Sequence, residues 1–272
     1  MNWWQALLLG LLQGVTEFLP VSSSGHLVLV QHWLGFPNAT HPPGAALFLD
    51  GVLHLGTAAA VLVYFRRAKP SPTPWPTSRG DALRLAVLLV LATLPAMLAV
   101  LLAGQHIKQS FKRPLPVAVN FLILGVILCV SNYLPAGRTS GSQMRWWQAL
   151  CIGLGQAASA IFRGLSRSGM TLSVSLLVGI ERGWAVRFSF LLSIVASTGL
   201  GAFGIIDALR DPAAGEWLTF GFVLSSVIGA IVSGVVGYFT LGPLLQLVLR
   251  ARLWWVSVYL WLVAALVLLR EL

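Results

Sequence analysis

Six apolar stretches, each long enough to cross a bilayer, leave this chain few folds to choose from. They cover residues 45–65, 82–103, 115–134, 184–206, 217–241 and 254–269 of 272. A spanning helix needs roughly 20 such residues, and inside hydrocarbon every backbone polar group must find its partner within the protein, which admits helices and excludes open strands. The expected fold class is therefore an all-α polytopic membrane protein, a single integral membrane domain over residues 1–272. Composition agrees, with 57 % hydrophobic and 10 % charged residues, well off the soluble average. The net charge is +10, but Lys and Arg are scattered over the connecting segments and form no stripe, so no nucleic acid partner is expected. Cys129 and Cys151 both sit in apolar runs and offer neither a disulfide framework nor a CxxC site. No Lys or Arg precedes Arg66, so the amino terminus is read as part of the mature fold rather than as a secretory signal.

Two further regions, residues 3–36 and 146–180, are apolar but broken by Gly, Ser, Gln and charge before they reach spanning length. Each reads as a re-entrant helix-loop-helix unit, which is tolerated at membrane depth only when buried in protein or lining a wet cavity. The two regions also resemble each other. Trp3, Trp4, Gln5, Ala6, Leu7, Gly10, Leu11, Gln13 and Ser23 align with Trp146, Trp147, Gln148, Ala149, Leu150, Gly153, Leu154, Gln156 and Ser166, each pair 143 positions apart. The chain therefore reads as an internal duplication with halves 1–134 and 146–272. Counting basic residues at span ends places the loops at 66–79, 138–145, 182–187 and 250–252 in the cytoplasm and the acidic 207–216 loop outside. Lys108, Lys112 and Arg113 count against this threading, which the other loops outvote. Under it the repeats have inverted topology, and their tips can meet near the midplane.

The first tip, residues 13–26, carries Gln13 and Glu17 four apart on one helix face, then Pro20 as a helix stop. Ser22, Ser23, Ser24 and Gly25 form a turn and N-cap for the next helix, whose free N–H groups suit phosphate or carboxylate. His26 follows. The second tip, residues 163–171, repeats the small hydroxyl residues in Ser166, Ser168 and Thr171 and adds the guanidinium groups of Arg163 and Arg167, which match phosphoryl oxygens in pairs. Intramembrane Glu17 and Arg167 are costly to bury and point to a site. By spacing alone, Ser22 to Ser24 is more often a capped helix start than a nucleophile, and His26 could simply bond a neighbouring carbonyl. Gln13 and Gln156 could serve as helix-packing hydrogen bonders. Asp50 and His54, four apart on the first span, read first as a buried pair tying helices and second as groups reaching the site.

The stretch from Gln13 to His26 and the stretch from Gly164 to Thr171 resemble the two signature motifs of the BacA-type undecaprenyl-diphosphate phosphatases. Residues 53–57 and 188–192 match as well, and the likeness covers nearly the whole chain. The resemblance implies hydrolysis of undecaprenyl diphosphate to undecaprenyl phosphate and inorganic phosphate, which recycles the lipid carrier of cell-wall synthesis. It further implies a site facing the periplasm in the bacterial inner membrane and a divalent cation. By the same resemblance Glu17, Ser23, His26 and Arg167 are the catalytic positions, with Ser166, Ser168 and Thr171 as phosphate contacts. Gln13 stands where many relatives have a second glutamate. Arg163 precedes Gly164 where Pro is common, and adds a potential phosphate ligand or a snorkelling cation.

A carboxylate about 4 Å from a phosphate charge is repelled by roughly 4 kcal/mol at an effective dielectric near 20. Glu17 is thus expected either to be protonated or to hold a cation, Mg²⁺ or Ca²⁺, against the substrate. In the expected mechanism Arg167 clamps phosphoryl oxygens, Ser23 attacks the terminal phosphorus and His26 manages its proton, with His26 or a metal-activated water as alternative nucleophiles. The rival function is a polyprenyl-phosphate flippase or transporter, since inverted repeats with broken helices are a transporter design.

Overall fold

The computed structural model describes residues 2–36, 43–67, 78–110, 114–135, 137–250 and 252–271, with side chains throughout except at 43 and 104–110. Among the described residues the secondary structure is helical apart from one isolated bridge between Thr139 and Ile180. The helices are α1 (Trp3–Thr16), α2 (Ser23–Trp33), α3 (Pro43–Arg67), α4 (Arg79–Ser110), α5 (Pro114–Asn132), α6 (Trp146–Ile161), α7 (Arg167–Leu177), α8 (Arg182–Arg210), α9 (Ala214–Trp217), α10 (Phe220–Leu249) and α11 (Leu253–Glu271). Six of them, α3, α4, α5, α8, α10 and α11, are long and apolar enough to cross a membrane. In α4 the apolar part ends at Ala103, whose backbone leaves the helical region (φ −109°, ψ 15°).

One expected boundary moves. Trp217 does not open the fifth span. It closes the short α9, donating its indole N–H to Asp211 Oδ2 at 3.2 Å and meeting Phe222 edge-on. The span begins instead at Phe220, where the Thr219 hydroxyl accepts the Phe222 N–H at 3.3 Å. A Thr cap satisfies an amide that Trp cannot, so the helix starts three residues later than hydropathy alone places it.

The shorter helices come in two pairs. With 14 and 11 residues, α1 and α2 are about 21 and 16 Å long at 1.5 Å per residue, short of the roughly 30 Å hydrocarbon core. With 16 and 11 residues, α6 and α7 repeat the arrangement. The side-chain oxygens of Gln5 and Gln148 accept the backbone N–H of Asn2 and Arg145, each at 2.8 Å. Ser22 and Ser166 cap the second helix of each pair, accepting from Gly25 N at 3.2 Å and Gly169 N at 3.1 Å. These caps are 144 positions apart, so Ser166 is the counterpart of Ser22, not of Ser23 as the unbroken alignment has it. The second tip carries one extra residue before its cap, and Arg167 takes the position of Ser23.

Packing repeats too. α1 lies along α10 and α6 along α4, while α3 pairs with α8 and α5 with α11. Equivalent glycines make the first two contacts possible: Gly10 faces the Gly229 carbonyl, and a methyl at Gly153 would stand 2.6 Å from the Ala92 carbonyl. Small residues allow such backbone approach where no hydrophobic effect between helices drives it. Most of the basic segments gather at one end. Arg84 donates to the carbonyls of Ser142 and Met144, Arg182 to those of Asn132 and Leu134, and the Leu253 N–H to Asn132 Oδ1. Two apolar clusters fill the interior, one holding Val21, Phe121 and Leu165, the other Phe18, Phe188 and Leu192, and Leu19 packs against both. The tips lie where the clusters meet.

Gly56 in α3 presses on the Ala230 carbonyl of α10, whereas Gly199 in α8 faces open space. Overpacking of this kind costs about 1–3 kcal/mol, so Gly56→Val should lower the thermal unfolding midpoint of the detergent-solubilised protein. Gly199→Ala should not lower it. A Gly56→Val protein melting with the parent would contradict the α3–α10 contact.

Candidate active site

Glu17 caps the end of α1 and is 4 % exposed, so its carboxylate must be compensated from within the protein. Five helices contribute. Oε1 accepts from Arg167 at 2.5 Å and from the Ser197 hydroxyl of α8 at 3.4 Å. Oε2 accepts from Gln13 Nε2 at 3.0 Å and from the Ser23 hydroxyl at 2.6 Å, and faces His54 Nε2 of α3 at 3.3 Å. Four expected residues, Gln13, Glu17, Ser23 and Arg167, are thereby brought together from the two tips. The tips touch directly: Gly25 packs on Phe121 and on the Gly164 backbone, and Gly169 packs beside Pro20.

Local backbone explains the placement. Ser22 has φ +70°, a left-handed conformation that costs a non-glycine residue of order 1–3 kcal/mol. The chain turns sharply there, so that Ser23 opens α2 with its hydroxyl turned back on the end of α1. On the other tip Gly164 has φ +105°, and a side chain would meet Asn120 and the Val117 carbonyl at 2.8 Å. Asn120 of α5 donates to the Arg163 carbonyl at 2.7 Å and holds that turn.

Other expected site residues are committed elsewhere. Ser22 and Ser166 act as caps, the bland alternative for a serine in this spacing, and their bonds take up the Gly25 and Gly169 amides. Ser24 lies 3.4 Å from Ser22 Oγ, and Ser168 bridges Ser166 Oγ and the Leu19 carbonyl. Thr171 returns its hydroxyl to the Arg167 and Ser168 carbonyls and meets Ser189 Oγ at 2.8 Å, a helix-to-helix tie rather than a free phosphate donor. Arg163 neither snorkels nor faces the tip carboxylate. It is 7 % exposed and pairs with Asp50 Oδ2 at 3.3 Å, while Gln31 donates to Asp50 Oδ1 at 3.0 Å. His26 is not placed to take the Ser23 proton, because its Nδ1 meets the Ser22 carbonyl and its Nε2 the Tyr259 hydroxyl, both at 2.8 Å. The proton of Ser23 points at Glu17 instead.

The expected Asp50–His54 pair divides. Asp50 ties helices through Arg163 and Gln31, and His54 reaches Glu17 with its Nδ1 held by the Asp50 carbonyl at 2.8 Å. The four-residue spacing was a usable signal for His54. Ser189 lies in the matching stretch 188–192, whereas Ser197 and Tyr259 belong to ordinary apolar spans and carried none. Two atoms in the site stand out as having no hydrogen-bond partner while buried: Arg167 Nη1, a donor, and Gln13 Oε1, an acceptor. Gln13 Oε1 is a hard oxygen of the kind Mg²⁺ and Ca²⁺ take, but among the described residues no three His, Cys, Asp or Glu side chains group to hold a metal ion, and a cation bound here would share Glu17 with its protein donors.

Six apolar helices around a buried tip-to-tip cluster of carboxylate, hydroxyl, imidazole and guanidinium define a multi-pass membrane protein with an internal polar site. Over residues 6–266 the chain matches the family described as bacitracin resistance protein BacA, and it belongs to that family. It is 36 % identical over 256 residues to an undecaprenyl-diphosphatase of Alcanivorax borkumensis, covering 92 % of each chain. An undecaprenyl-diphosphatase of Carboxydothermus hydrogenoformans is 32 % identical over 273 residues, covering 100 % of this chain and 98 % of the relative. Undecaprenyl-diphosphatase 3 of Bacillus cereus is 34 % identical over 271 residues with the same coverage.

The Asp50–Arg163 pair yields a test. Removing one partner of a buried pair costs about 3–5 kcal/mol because the other charge is stranded. Arg163→Met should therefore destabilise the protein strongly, and Asp50→Asn combined with Arg163→Met should recover much of the loss. Additive losses in that double-mutant cycle would show the two residues to be uncoupled.

Proposed function

We propose that this protein hydrolyses undecaprenyl diphosphate to undecaprenyl phosphate and inorganic phosphate, returning the lipid carrier to cell-wall synthesis. The observation that carries the reading is the Ser23 hydroxyl 2.6 Å from a carboxylate that also holds Arg167, in a chain whose full-length relatives are named for this activity. A flippase needs charge compensation but no oriented nucleophile, so the same observation disfavours it.

The chemistry follows from the contacts. Glu17 Oε2 takes the Ser23 proton as Oγ bonds to the terminal phosphorus, and the bridging P–O bond breaks to release the prenyl monophosphate. Water then attacks the phosphorus of the Ser23–phosphate ester and its hydrogens leave with inorganic phosphate, while the proton held on Glu17 returns to Oγ as the ester P–O bond breaks. Arg167 keeps one nitrogen on Glu17 and offers its unpartnered Nη1 to phosphoryl oxygens. It stabilises the charge that develops there in a site from which water is largely excluded. Glu17 and Gln13 would hold the divalent cation, Mg²⁺ or Ca²⁺, whose charge offsets the repulsion between carboxylate and diphosphate.

The membrane arrangement belongs to the same reading. The two helix pairs at 3–36 and 146–180 are re-entrant, and the halves are inverted repeats. Their sub-spanning lengths, their matching caps and the exchange of α1–α10 for α6–α4 support this. The basic end faces the cytoplasm of the inner membrane by the positive-inside rule, and the site opens toward the periplasm. Of the residues that weigh against this threading, Lys112 and Arg113 and the side chain of Lys108 lie outside the described residues.

Purified protein in detergent, given undecaprenyl diphosphate, should release phosphate without a two-sided membrane. Glu17→Gln should lower kcat by about 100-fold or more, Arg167→Ala by a comparable factor, and a chelator should suppress the unsubstituted enzyme. Full activity in both variants would remove the assignment.

A further inference from the structure

Of the four residues expected to act in catalysis, His26 stands apart from the Glu17 cluster, and its partners define its state. The Ser22 carbonyl can only accept, so His26 Nδ1 carries the hydrogen. In the neutral ring Nε2 is then the acceptor, and the Tyr259 hydroxyl 2.8 Å away is its donor. Tyr259 lies nearly parallel to the imidazole, 8° between planes with centroids 5.7 Å apart, and Phe121 covers it at 5.0 Å. The groups facing the imidazole are thus Phe121 from α5, Tyr259 from α11 and the Val21 and Ser22 carbonyls, of which Tyr259 is the titratable one.

The fold fixes Tyr259 in this place. α11 is pinned to α5 on both sides of it, by the Leu253 N–H on Asn132 Oδ1 at 3.0 Å and by Trp261 Nε1 on the Leu122 carbonyl at 3.2 Å. Gly125 leaves room for the Trp261 indole. Tyr259 itself is 42 % exposed and shares the outer face of α11 with Trp255, Leu262 and Leu266, all more exposed still. A hydroxyl on an otherwise apolar outer face therefore turns inward to a buried imidazole. Packing alone would be served equally well by Phe.

We propose that Tyr259 is the positioning residue of His26, holding it in the Nδ1–H tautomer with its basic nitrogen turned toward the outer face of α11, the side from which a lipid-borne phosphate reaches the site. This rests on the phosphatase reading. The arriving phosphate meets the Tyr259 hydroxyl first; because Nε2 accepts, it is a protonated phosphate oxygen that replaces the hydroxyl as donor to His26, while the prenyl chain stays outside the bundle. Without the hydroxyl, Nε2 has no donor, and the ring keeps only its Nδ1 bond to the Ser22 carbonyl.

The test uses the full-length protein in lipid nanodiscs with ¹⁵N-labelled histidine, the His26 signals being assigned by their loss in His26→Asn. Tyr259→Phe keeps the ring contacts and removes only the hydroxyl. It should move the His26 Nε2 resonance and lower kcat roughly tenfold with KM nearly unchanged, while Tyr133→Phe, at an exposed tyrosine just past the end of α5, should change neither. An unshifted Nε2 resonance in folded Tyr259→Phe protein overturns the proposal, and so does a shifted resonance with unsubstituted kcat and pH profile. Absence of phosphate release by the unsubstituted protein would instead overturn the phosphatase reading, a result the substrate-free resonance distinguishes.

Discussion

A carboxylate cannot be carried into the interior of an apolar bundle alone, and the burial of Glu17 organises much of what surrounds it. Its two oxygens draw donors from α1, α2, α3, α7 and α8, so elements far apart in sequence converge on one side chain. Each partner has a structural reason to be there and a chemical use once there. Arg167 neutralises the charge and keeps a free nitrogen. Ser23 completes the shell and is left with its proton on a base. Buried ion pairs are weak evidence for stability as such, and the strained backbone at Ser22 points the same way. The arrangement makes more sense as a site held ready than as a fastening.

The two tips share a local architecture and differ in the side chains they carry. Both tips have a serine cap, an 11-residue second helix and a close glycine contact, but Arg167 takes the place of Ser23, and α6 has 16 residues against 14 in α1. Gln156, the counterpart of Gln13, is buried with neither amide atom hydrogen-bonded, because Ala160 stands four residues on where Gln13 has Glu17. One half therefore brings the carboxylate and the hydroxyl that bonds it, and the other brings the guanidinium. A symmetric pair of tips would set like charge against like.

Much of this was legible in the chain. Long apolar runs mark the spans, since hydrocarbon permits little else, and the repeated Trp-Trp-Gln-Ala-Leu string marks the first helix of each short pair. Glu17 and Arg167 were conspicuous as charges where charge is costly. What sequence could not convey was which hydroxyl or imidazole faces which. Ser22, Ser23 and Ser24 are equivalent by spacing, and only the left-handed turn at Ser22 makes one a cap and the next a candidate nucleophile. His26 sits three residues after Ser23, yet its ring points away to α11, a contact across more than two hundred residues. Arg163 resembled a second phosphate ligand because its partner, Asp50, lies on another helix. Ser197 and Tyr259 look like any span residue until the helices are packed.

The central claim is that the two tips meet around one ligand-sized point, and a covalent link tests it most directly. Pro20 Cβ lies 3.4 Å from where a Cβ on Gly169 would stand, close to the separation of about 3.5–4.5 Å seen in disulfides. Pro20→Cys and Gly169→Cys, made together with Cys129 and Cys151 replaced by Ser, should form an intrachain disulfide under mild oxidation, read by mass spectrometry of the cleaved protein. Folded protein in which both introduced thiols stay free and separately labelled would contradict the account.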